Sequence, residues 1–442
     1  MERKFYNVLM DWKNTPGHKP LLVKGARQVG KTYIIDEFCQ KNYKNILKFD
    51  LIQDNSITNI FNEDKPFEMK LADLELLCGC KLDDDETILF VDEVQKSEKF
   101  IEALKYFYES GKKYNIICAG SLLGVALNRM KASYPVRKVI EETLYPMDFE
   151  EFLMATGNER YISVIHEHYR ANEPLSESIH TILLDLVKRY MCLGGMPDVI
   201  QDYIDNNGDL LLIDKEITKT ITEQYFEDMS KYNENASEHI RIKRIYEDIP
   251  AQLGKENQKF TFNKIDKVDN RKKDYISPID WLLSSSLILM CKTLEIPKIP
   301  LKTNALKESY KLFLNDTGLL MSLSETPFKM IFSNDDYSYK GVIAENYVGT
   351  ELAKKGISLY YWSRKGKNKG NAEVDFVIQK GLDVIPIEVK YNKDTKSKSL
   401  EIYNEEYKPK YAIRVSSKNF GFQNNIKSVP LYAVFCIDEV DE

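Results

Sequence analysis

The chain has 442 residues, of which 43% are hydrophobic, so it can form about three domains with buried cores. Its formal net charge of −6 argues against a protein that coats nucleic acid or a membrane with its whole surface, although local basic patches are compatible with it. The N-terminus lacks the apolar stretch of a signal peptide, and the longest apolar run, residues 281–291, is too short to cross a bilayer.

The cysteines and histidines show no pattern typical of a metal site or a disulfide framework. The seven cysteines are scattered and odd in number, which indicates reduced thiols. Cys78 and Cys80 do not have the spacing of a C-x-x-C pair, and the five histidines show no ligand spacing. We therefore expect a cytoplasmic protein without a membrane partner and without a metal held by cysteine or histidine.

Residues 20–33 are typical of a strand, a phosphate-binding loop and a helix. The apolar residues 21–23 run directly into G-x-x-x-x-G-K-T, and a helical segment follows. The glycines let backbone N–H groups curl around a polyphosphate, Lys31 supplies a cation for the β- and γ-phosphates, and Thr32 supplies an oxygen ligand for Mg²⁺. The residues predicted to bind ATP are Gly25, Ala26, Arg27, Gln28, Val29, Gly30, Lys31, Thr32 and Tyr33.

Two further apolar segments are predicted to be strands of the same domain. The segment 88–91 ends at Asp92 and Glu93, which are suited to holding Mg²⁺ and to orienting the attacking water, respectively. The segment 115–119 is followed by Ser121, a candidate for sensing the γ-phosphate. Together with Lys31, Glu93 and Ser121 are the predicted catalytic residues of an α/β domain with a parallel sheet over residues 1–158.

Residues 159–330 are predicted to be mainly helical. Helices near 240–253 and 279–286 are followed by short β-prone pieces at 287–293 and 310–315, which suggests a winged helix. Such a module either binds DNA or joins two domains, and the helix near 279–286 is not basic.

Residues 331–442 are predicted to alternate helices and strands. The strands predicted over residues 373–378 and 384–391 form a hairpin that carries charged residues on one face. If residues 380–383 form a four-residue loop, Asp375 lies opposite Glu388, close enough for both carboxylates to share one metal ion. Lys390 lies one step along the same face. Periodicity alone favours the plainer interpretation, an amphipathic hairpin with a solvated charged face.

Asp375 and the triplet Glu388-Val389-Lys390, with Glu345 on the preceding helix, resemble the signature of the PD-(D/E)xK nuclease superfamily. The resemblance implies that Glu345, Asp375 and Glu388 bind Mg²⁺ and that Lys390 assists phosphodiester cleavage. It implies a restriction-endonuclease-like fold for residues 331–442.

The whole chain resembles a prokaryotic family of AAA-type ATPases with a C-terminal domain of unknown function. The motifs that carry this resemblance are GARQVGKT, LFVDEVQ, AGSLLG, LYPMDFEEF, GGMP, LFLNDTGLL, GVIAENYV and EVDFVIQ…PIEVK. One departure is Ser121, where many AAA-type ATPases carry Asn. No arginine finger is assignable, and Arg129 and Arg137 are candidates only.

The C-terminal part contains a basic segment. Residues 354–398 contain eleven Lys/Arg and five Asp/Glu, a net charge of 11 − 5 = +6, and include Tyr360, Tyr361 and Trp362. Basic residues interleaved with aromatic ones suit nucleic-acid strands, although a flexible solvated loop at 364–370 explains part of the pattern equally well.

The leading hypothesis is an ATPase, using ATP and Mg²⁺, whose turnover is coupled to a nuclease-like domain that engages DNA. The main alternative is a nucleotide-controlled binding protein whose C-terminal domain recognises nucleic acid or a protein without cutting. A third hypothesis, remodelling of protein partners, leaves the basic segment unexplained. Homo-oligomerisation remains open.

Overall fold

The structure is a computed structural model that describes residues 1–130, 134–135, 137–231, 236–255, 258–261, 273–364, 371–392 and 398–439. The chain forms two compact units. The N-terminal unit contains Met1–Tyr145 and Ser284–Leu287, and the C-terminal unit contains Pro146–Leu283 and Ile288–Glu442.

The N-terminal unit is a parallel sheet covered by helices. Its helices are α1 Phe5–Asn14, α2 Lys31–Asn42, α3 Ser56–Asn62, α4 Phe67–Cys78, α5 Glu98–Glu109 and α6 Leu123–Arg129. Its strands are β1 Leu21–Lys24, β2 Asn45–Asp50, β3 Thr87–Asp92, β4 Asn115–Ala119 and β5 Ile140–Thr143. All neighbouring strands are parallel, in the order β2-β3-β4-β1-β5. The predicted parallel sheet is thus confirmed.

The apolar runs recognised in the sequence form the centre of this sheet. Strands β3 and β4 are buried along their whole length, as expected for strands covered on both faces. Helix α5 places Phe100, Leu104 and Phe107 in the adjoining core. A short 3₁₀ helix, Val94–Lys96, follows β3.

The C-terminal unit combines helices with two sheets. Its helices are α7 Phe149–Ala155, α8 Arg160–Ala171, α9 Glu177–Leu193, α10 Pro197–Asp205, α11 Lys215–Lys231, α12 Ala236–Leu253, α13 Lys273–Ser284, α14 Thr317–Leu323, α15 Phe328–Phe332, α16 Tyr339–Lys354 and α17 Lys398–Tyr407. Its strands are β6 Ile288–Leu294, β7 Ala305–Leu314, β8 Tyr360–Arg364, β9 Ala372–Val374, β10 Phe376–Lys380, β11 Asp383–Val389, β12 Ala412–Ser416, β13 Gly421–Gln423 and β14 Ile426–Pro430. Leu301–Asn304 and Leu431–Cys436 form short 3₁₀ helices.

The hairpin predicted as the wing of a winged helix belongs to a larger sheet. Strand β6 pairs with β7 on one side and with β8 on the other, giving the order β7-β6-β8-β9. The predicted hairpin is present, but it is not free-standing, because β8 pairs with residues 292–294 on the second edge of β6; the winged helix stays a prediction. The predicted domain boundary at residue 330 separates β6 and β7 from β8 and β9. This sheet therefore contains strands from both sides of the predicted boundary. The three-domain division stays a prediction.

The charged hairpin is formed by β10 and β11, in the second sheet, ordered β10-β11-β12-β14-β13. Lys380 pairs with Asp383, so the loop has two residues and not four, and Gly381 occupies it with φ +59°. The register is nevertheless the predicted one, since Phe376 pairs with Ile387 and Asp375 is the next residue outward, beside Glu388.

The single strand predicted over residues 373–378 is divided in two at Asp375. Strand β9 pairs with β8 in the first sheet, whereas β10 pairs with β11 in the second, and Asp375 forms the bend between them. None of the helices in the described part of the chain has the length and hydropathy that a bilayer crossing requires.

Candidate nucleotide site and carboxylate cluster

The phosphate-binding loop joins β1 to the N-terminus of α2. Gly25 has φ +145°, and a Cβ there would lie 2.1 Å from the backbone oxygen of Leu144. Gly30 has φ +89° and immediately precedes α2. A side chain at Gly25 is excluded by contact and one at Gly30 is disfavoured by conformation, which explains the two glycines of the motif.

The Lys31 ammonium lies against the carbonyl groups of its own loop. Its Nζ donates to the backbone oxygen of Gly25 at 2.9 Å and to that of Ala26 at 2.8 Å. Arg3 holds the outside of the loop, since its Nη1 donates to the backbone oxygen of Val29 at 2.8 Å. Sequence reasoning missed Arg3, and its position in the sequence gives no sign of this contact.

Two of the predicted magnesium ligands are in contact. The Thr32 hydroxyl donates to Asp92 Oδ2 at 2.6 Å, and Asp92 Oδ1 accepts the backbone N–H of Glu93 at 2.9 Å. Thr32 lies in the first turn of α2 and Asp92 ends β3, so the fold brings their hard oxygen atoms to the same edge of the parallel sheet. This donor set suits Mg²⁺.

Glu93 is held beside Asp92 by its backbone and by Gln95. Its φ of +51° is unusual for a residue with a side chain, and its carboxylate accepts a hydrogen bond from Gln95 Nε2. Burial and then the Asp92 charge raise the pKa of Glu93, an arrangement common at catalytic carboxylates. Sequence reasoning missed Gln95, although it lies two residues after Glu93 in the quoted motif.

Ser121 follows β4, the strand between β1 and β3, and its side chain is largely buried. The preceding Gly120 leaves room for Gln95, because a Cβ at Gly120 would lie 1.9 Å from Gln95 Oε1. The end of β4 thus adjoins the side chain that positions Glu93.

The second predicted site is a carboxylate cluster, formed by Glu345 of α16, Asp375 of the β9–β10 bend and Glu388 of β11. Asp375 Oδ2 accepts the backbone N–H of Val389 at 2.7 Å. Burial, then the charges of Glu388 and Glu345, raise the pKa of Asp375 well above its usual value. The three carboxyl groups are therefore electrostatic neighbours.

Lys390 reaches the cluster as predicted. Its Nζ lies 2.9 Å from Glu388 Oε1, whereas Glu388 Oε2 is buried and has no hydrogen-bond partner within the described residues. Burial alone would lower the pKa of Lys390, but Glu388 and Asp375 outweigh it and raise that pKa. The unpaired oxygen is the feature of the cluster best suited to a cation.

A buried lysine that the sequence did not reveal also contacts the cluster. Lys311 of β7 is completely buried, and its Nζ lies 2.8 Å from Glu345 and 2.7 Å from Glu373. Burial would lower the pKa of Lys311, but Glu345 and then Glu373 outweigh it and raise that pKa well above its usual value. Part of the negative charge is thus balanced by a protein cation.

The carboxylates of Glu345, Asp375 and Glu388 are less tightly gathered than a closed metal site. In the described part of the chain, only His166, Cys436 and Glu439 place ligand atoms all within 4.8 Å of one another. A single ion bound by all three predicted carboxylates would require them to move closer.

The phosphate-loop geometry agrees with the comparison to known families. Residues 17–153 match the AAA domain family. This match includes the phosphate-binding loop, Asp92, Glu93 and Ser121. Together with the parallel sheet, it supports ATP binding and hydrolysis by the N-terminal unit. We call these matched residues the AAA domain below.

The rest of the chain matches families without an assigned function. Residues 184–329 match one domain of unknown function (DUF8612), and residues 340–434 match another (DUF4143). Neither match assigns an activity to the helical middle region or to the C-terminal sheets. Neither match shows a nuclease fold.

Similar proteins include two uncharacterized proteins of Methanocaldococcus jannaschii. MJ1544 is 24% identical over 406 residues, which cover 88% of this chain and 79% of MJ1544. MJ1637 is 26% identical over 197 residues, which cover 41% of this chain and 39% of MJ1637.

Two solved structures have a partial likeness to the chain. A Walker-type ATPase of Pyrococcus abyssi has a TM-score of 0.43 and 15% identity over 73% of this chain and 95% of its own. The ORC2 protein of Aeropyrum pernix has a TM-score of 0.34 and 11% identity over 80% of this chain and 92% of its own. TM-scores below 0.5 do not establish a shared overall fold.

The remaining predicted nucleotide-binding residues have different environments. Ala26 and Val29 are buried, so they can offer a nucleotide only their backbone, whereas Tyr33 is 61% exposed. Gln28 has φ +64°, and Arg27 is half-buried. The arginine-finger candidates, Arg129 at the end of α6 and Arg137 in the following loop, stay predictions.

The prediction that aromatic residues of β8 form part of a nucleic-acid surface is wrong. Tyr360, Tyr361 and Trp362 are at most 9% exposed, because β8 is covered on both faces. Trp362 packs edge-on against Tyr403 of α17. These rings cannot stack on bases in this conformation.

Several basic residues of the same segment are already paired. Lys354 contacts Glu351, Lys355 contacts Asp438 and Arg364 contacts Glu406. The other basic residues predicted for this surface include Lys365, Lys367, Lys369, Lys393 and Lys396, which lie outside the described residues. The described portion therefore does not form the expected basic and aromatic patch.

Proposed function

We propose that the AAA domain binds ATP with Mg²⁺ and hydrolyses it. The contact between the Thr32 hydroxyl and Asp92, with Glu93 next in the chain, is the single observation that best supports this function. Mg²⁺ at Thr32 and Asp92 would neutralise phosphate charge. Lys31 would exchange its loop carbonyls for the β- and γ-phosphates, and Glu93 would orient the attacking water.

Substitutions at Lys31 and Glu93 test this assignment. Lys31→Ala should sharply reduce both ATP affinity and turnover, because it removes the cation that offsets phosphate charge. Glu93→Gln should retain nucleotide while turnover stalls. Lys41→Ala is the matched control, since Lys41 lies on the same helix with an exposed ion pair to Glu37. Normal turnover in either Lys31→Ala or Glu93→Gln would contradict the proposal.

A second candidate function is Mg²⁺-dependent cleavage of DNA at the carboxylate cluster, coupled to ATP turnover. The buried, unpaired Oε2 of Glu388 beside Asp375 favours it, because a cation there would satisfy the oxygen and relieve carboxylate repulsion. Lys390 would then stabilise charge that develops on the cleaved phosphate. The alternative is a domain that recognises DNA or a protein without cleaving it.

The two alternatives separate when full-length protein is loaded with ATP and incubated with Mg²⁺ or Mn²⁺ and single-stranded DNA, duplex DNA or RNA. Cleavage that Lys390→Ala abolishes, while metal binding persists, would support the nuclease function. The Asp375→Ala/Glu388→Ala double variant should lose metal binding as well. Lys410→Ala, at an exposed lysine near Asp383, is the control.

Stimulation of ATP turnover by one nucleic acid, without cleavage, would favour the binding function. If the wild-type protein shows no cleavage, no stimulation and no metal-dependent thermal shift, nucleic acid is removed from the proposal. The proposed ATPase function would be unaffected by that result.

A further inference from the structure

A side-chain group outside both sites joins α8 to the end of the described chain. His166 lies on α8, while Cys436 ends a 3₁₀ helix and Glu439 lies in the turn that follows it. Cys436 and Glu439 are three residues apart, and the backbone N–H of Glu439 donates to the Cys436 carbonyl at 3.0 Å. This turn directs both side chains towards His166.

Both side chains approach the same imidazole nitrogen. Cys436 Sγ lies 3.5 Å from His166 Nδ1, and Glu439 Oε1 is in hydrogen-bond contact with the same atom. An imidazole that relays a proton from a thiol to a carboxylate uses its two nitrogens separately, so Cys436 and Glu439, which share Nδ1, do not form such a relay. Glu150 faces the other nitrogen, but its Oε1 lies 3.8 Å from Nε2, which is too far for a hydrogen bond. Three possible ligand atoms are thus gathered together, and Glu439 Oε1, which contacts Nδ1 directly, would have to draw back to admit an ion.

From this geometry we infer that His166 Nδ1, Cys436 Sγ and Glu439 Oε1 form a Zn²⁺ site. Zinc binds nitrogen at about 2.0–2.1 Å and thiolate sulfur at about 2.3 Å, so tetrahedral bonds place these two donors about 3.5 Å apart. The observed distance between Sγ and Nδ1 is 3.5 Å. The mixture of sulfur, nitrogen and oxygen donors selects zinc over the hard cations Mg²⁺ and Ca²⁺. A fourth position remains for solvent.

Neighbouring residues support the three ligands as outer partners do in zinc sites. Glu150 Oε1 lies 3.8 Å from His166 Nε2, the ring nitrogen that would face away from the metal. Arg170 Nε donates to Glu439 Oε2 at 2.7 Å and leaves Oε1 for the ion. The Arg170 hydrogen bond orients Glu439 as an outer partner orients a ligating carboxylate, whereas Glu150 is near enough to His166 for an electrostatic interaction only.

Solvent can reach the group. The side chains of His166 and Glu439 are 24% and 16% exposed, which gives an ion access to the buried Cys436 sulfur. A thiol that coordinates a metal is deprotonated by it, so zinc binding at this site would release the thiol proton.

Cobalt(II) titration of the chelator-treated, full-length protein tests this site. A thiolate-to-cobalt charge-transfer band that saturates at one metal per chain, and that zinc abolishes, is expected. The residues proposed to bind Mg²⁺ at the phosphate loop offer only oxygen, so metal there gives no such band. Cys436→Ser and His166→Gln should lose the band, whereas Cys192→Ser, at a buried thiol of the same unit, should keep it.

Arg170→Gln changes an exposed side chain, so this variant should fold even if Cys436→Ser does not, and it keeps the proposal testable. It should weaken cobalt binding by about 10–100-fold, as loss of an outer-shell partner does. Absence of a band in the wild-type protein would overturn the proposal. A band that persists in Cys436→Ser, or unchanged affinity in both His166→Gln and Arg170→Gln, would also overturn it.

Discussion

Gln95 holds the carboxylate proposed to orient the attacking water. Its hydrogen bond lowers the pKa of Glu93, against burial and the Asp92 charge, which raise it. In Gln95→Ala the pKa of Glu93 should rise further, so the ionised form is reached at higher pH. The acidic limb of the pH profile of kcat should therefore move to higher pH.

Steady-state ATP hydrolysis measured across pH checks this prediction, with Gln53→Ala at an exposed position as the control. A limb that does not move, or moves to lower pH, would contradict the role assigned to Gln95.

Lys311 balances buried carboxylates, and its removal should be costly. Lys311→Met keeps much of the side-chain volume but leaves Glu345 and Glu373 without their shared cation, and breaking a buried ion pair costs about 3–5 kcal/mol. Lys219→Met is the control, because its pair with Glu216 is exposed and screened by solvent, so its loss should leave the stability nearly unchanged.

Denaturant unfolding monitored for the C-terminal unit should show a much lower midpoint for Lys311→Met than for Lys219→Met. Equal midpoints would mean that Lys311 is not needed to balance the cluster. Adding Glu345→Gln to Lys311→Met should recover part of the loss, since it removes one of the uncompensated charges.

The hairpin of β10 and β11 and the helix α16 contain glycines whose replacement should have opposite effects. Gly381 has φ +59° in a two-residue loop, so Gly381→Ala should destabilise the C-terminal unit by about 1–2 kcal/mol. Gly341 lies in α16 with open space around it, so Gly341→Ala should stabilise the unit by about 0.4–1 kcal/mol.

Unfolding midpoints of the two single variants, each against wild type, check this pair of predictions. A stabilising Gly381→Ala would show that the loop adopts another conformation, whereas a destabilising Gly341→Ala would place that residue outside the helix.

The elements most accurately predicted from the sequence are those whose signals are local. The phosphate loop follows from residue types over a few positions, and the register of Asp375 opposite Glu388 follows from alternation on both sides of a short turn. The division of the strand at Asp375 could not be predicted, because β9 and β10 have different pairing partners. The addition of β8 to the predicted hairpin could not be foreseen for a similar reason, since β8 lies far along the chain from β6.

The residues of the sites were predictable only where a motif spans them. Lys311 is separated from Glu345 by 34 positions, and His166 from Cys436 by 270, so no spacing rule joins them. Gln95 was within reach because it belongs to the motif that contains Glu93.

At the scale of the molecule, the two compact units should respond to different ligands. The proposed nucleotide site lies in the N-terminal unit, so a nucleotide should raise only the thermal transition that reports on that unit, by mass action. Zinc should raise only the transition of the C-terminal unit. Differential scanning calorimetry of the full chain measures both effects.

Lys31→Ala should abolish the nucleotide effect and preserve the zinc effect, and His166→Gln should do the reverse. A single transition that both ligands raise equally would contradict the prediction that the units unfold separately.

The four-stranded sheet limits how this chain can be recombined with its relatives. The match at residues 340–434 contains Glu345, Glu373 and strands β8 and β9, whereas β6, β7 and Lys311 lie within the match at residues 184–329. A chimera that exchanges only the C-terminal segment would import carboxylates without their lysine and strands without their neighbours. The segments that match these two families therefore depend on each other structurally in this protein. A chimera that folds should take both segments from the same relative.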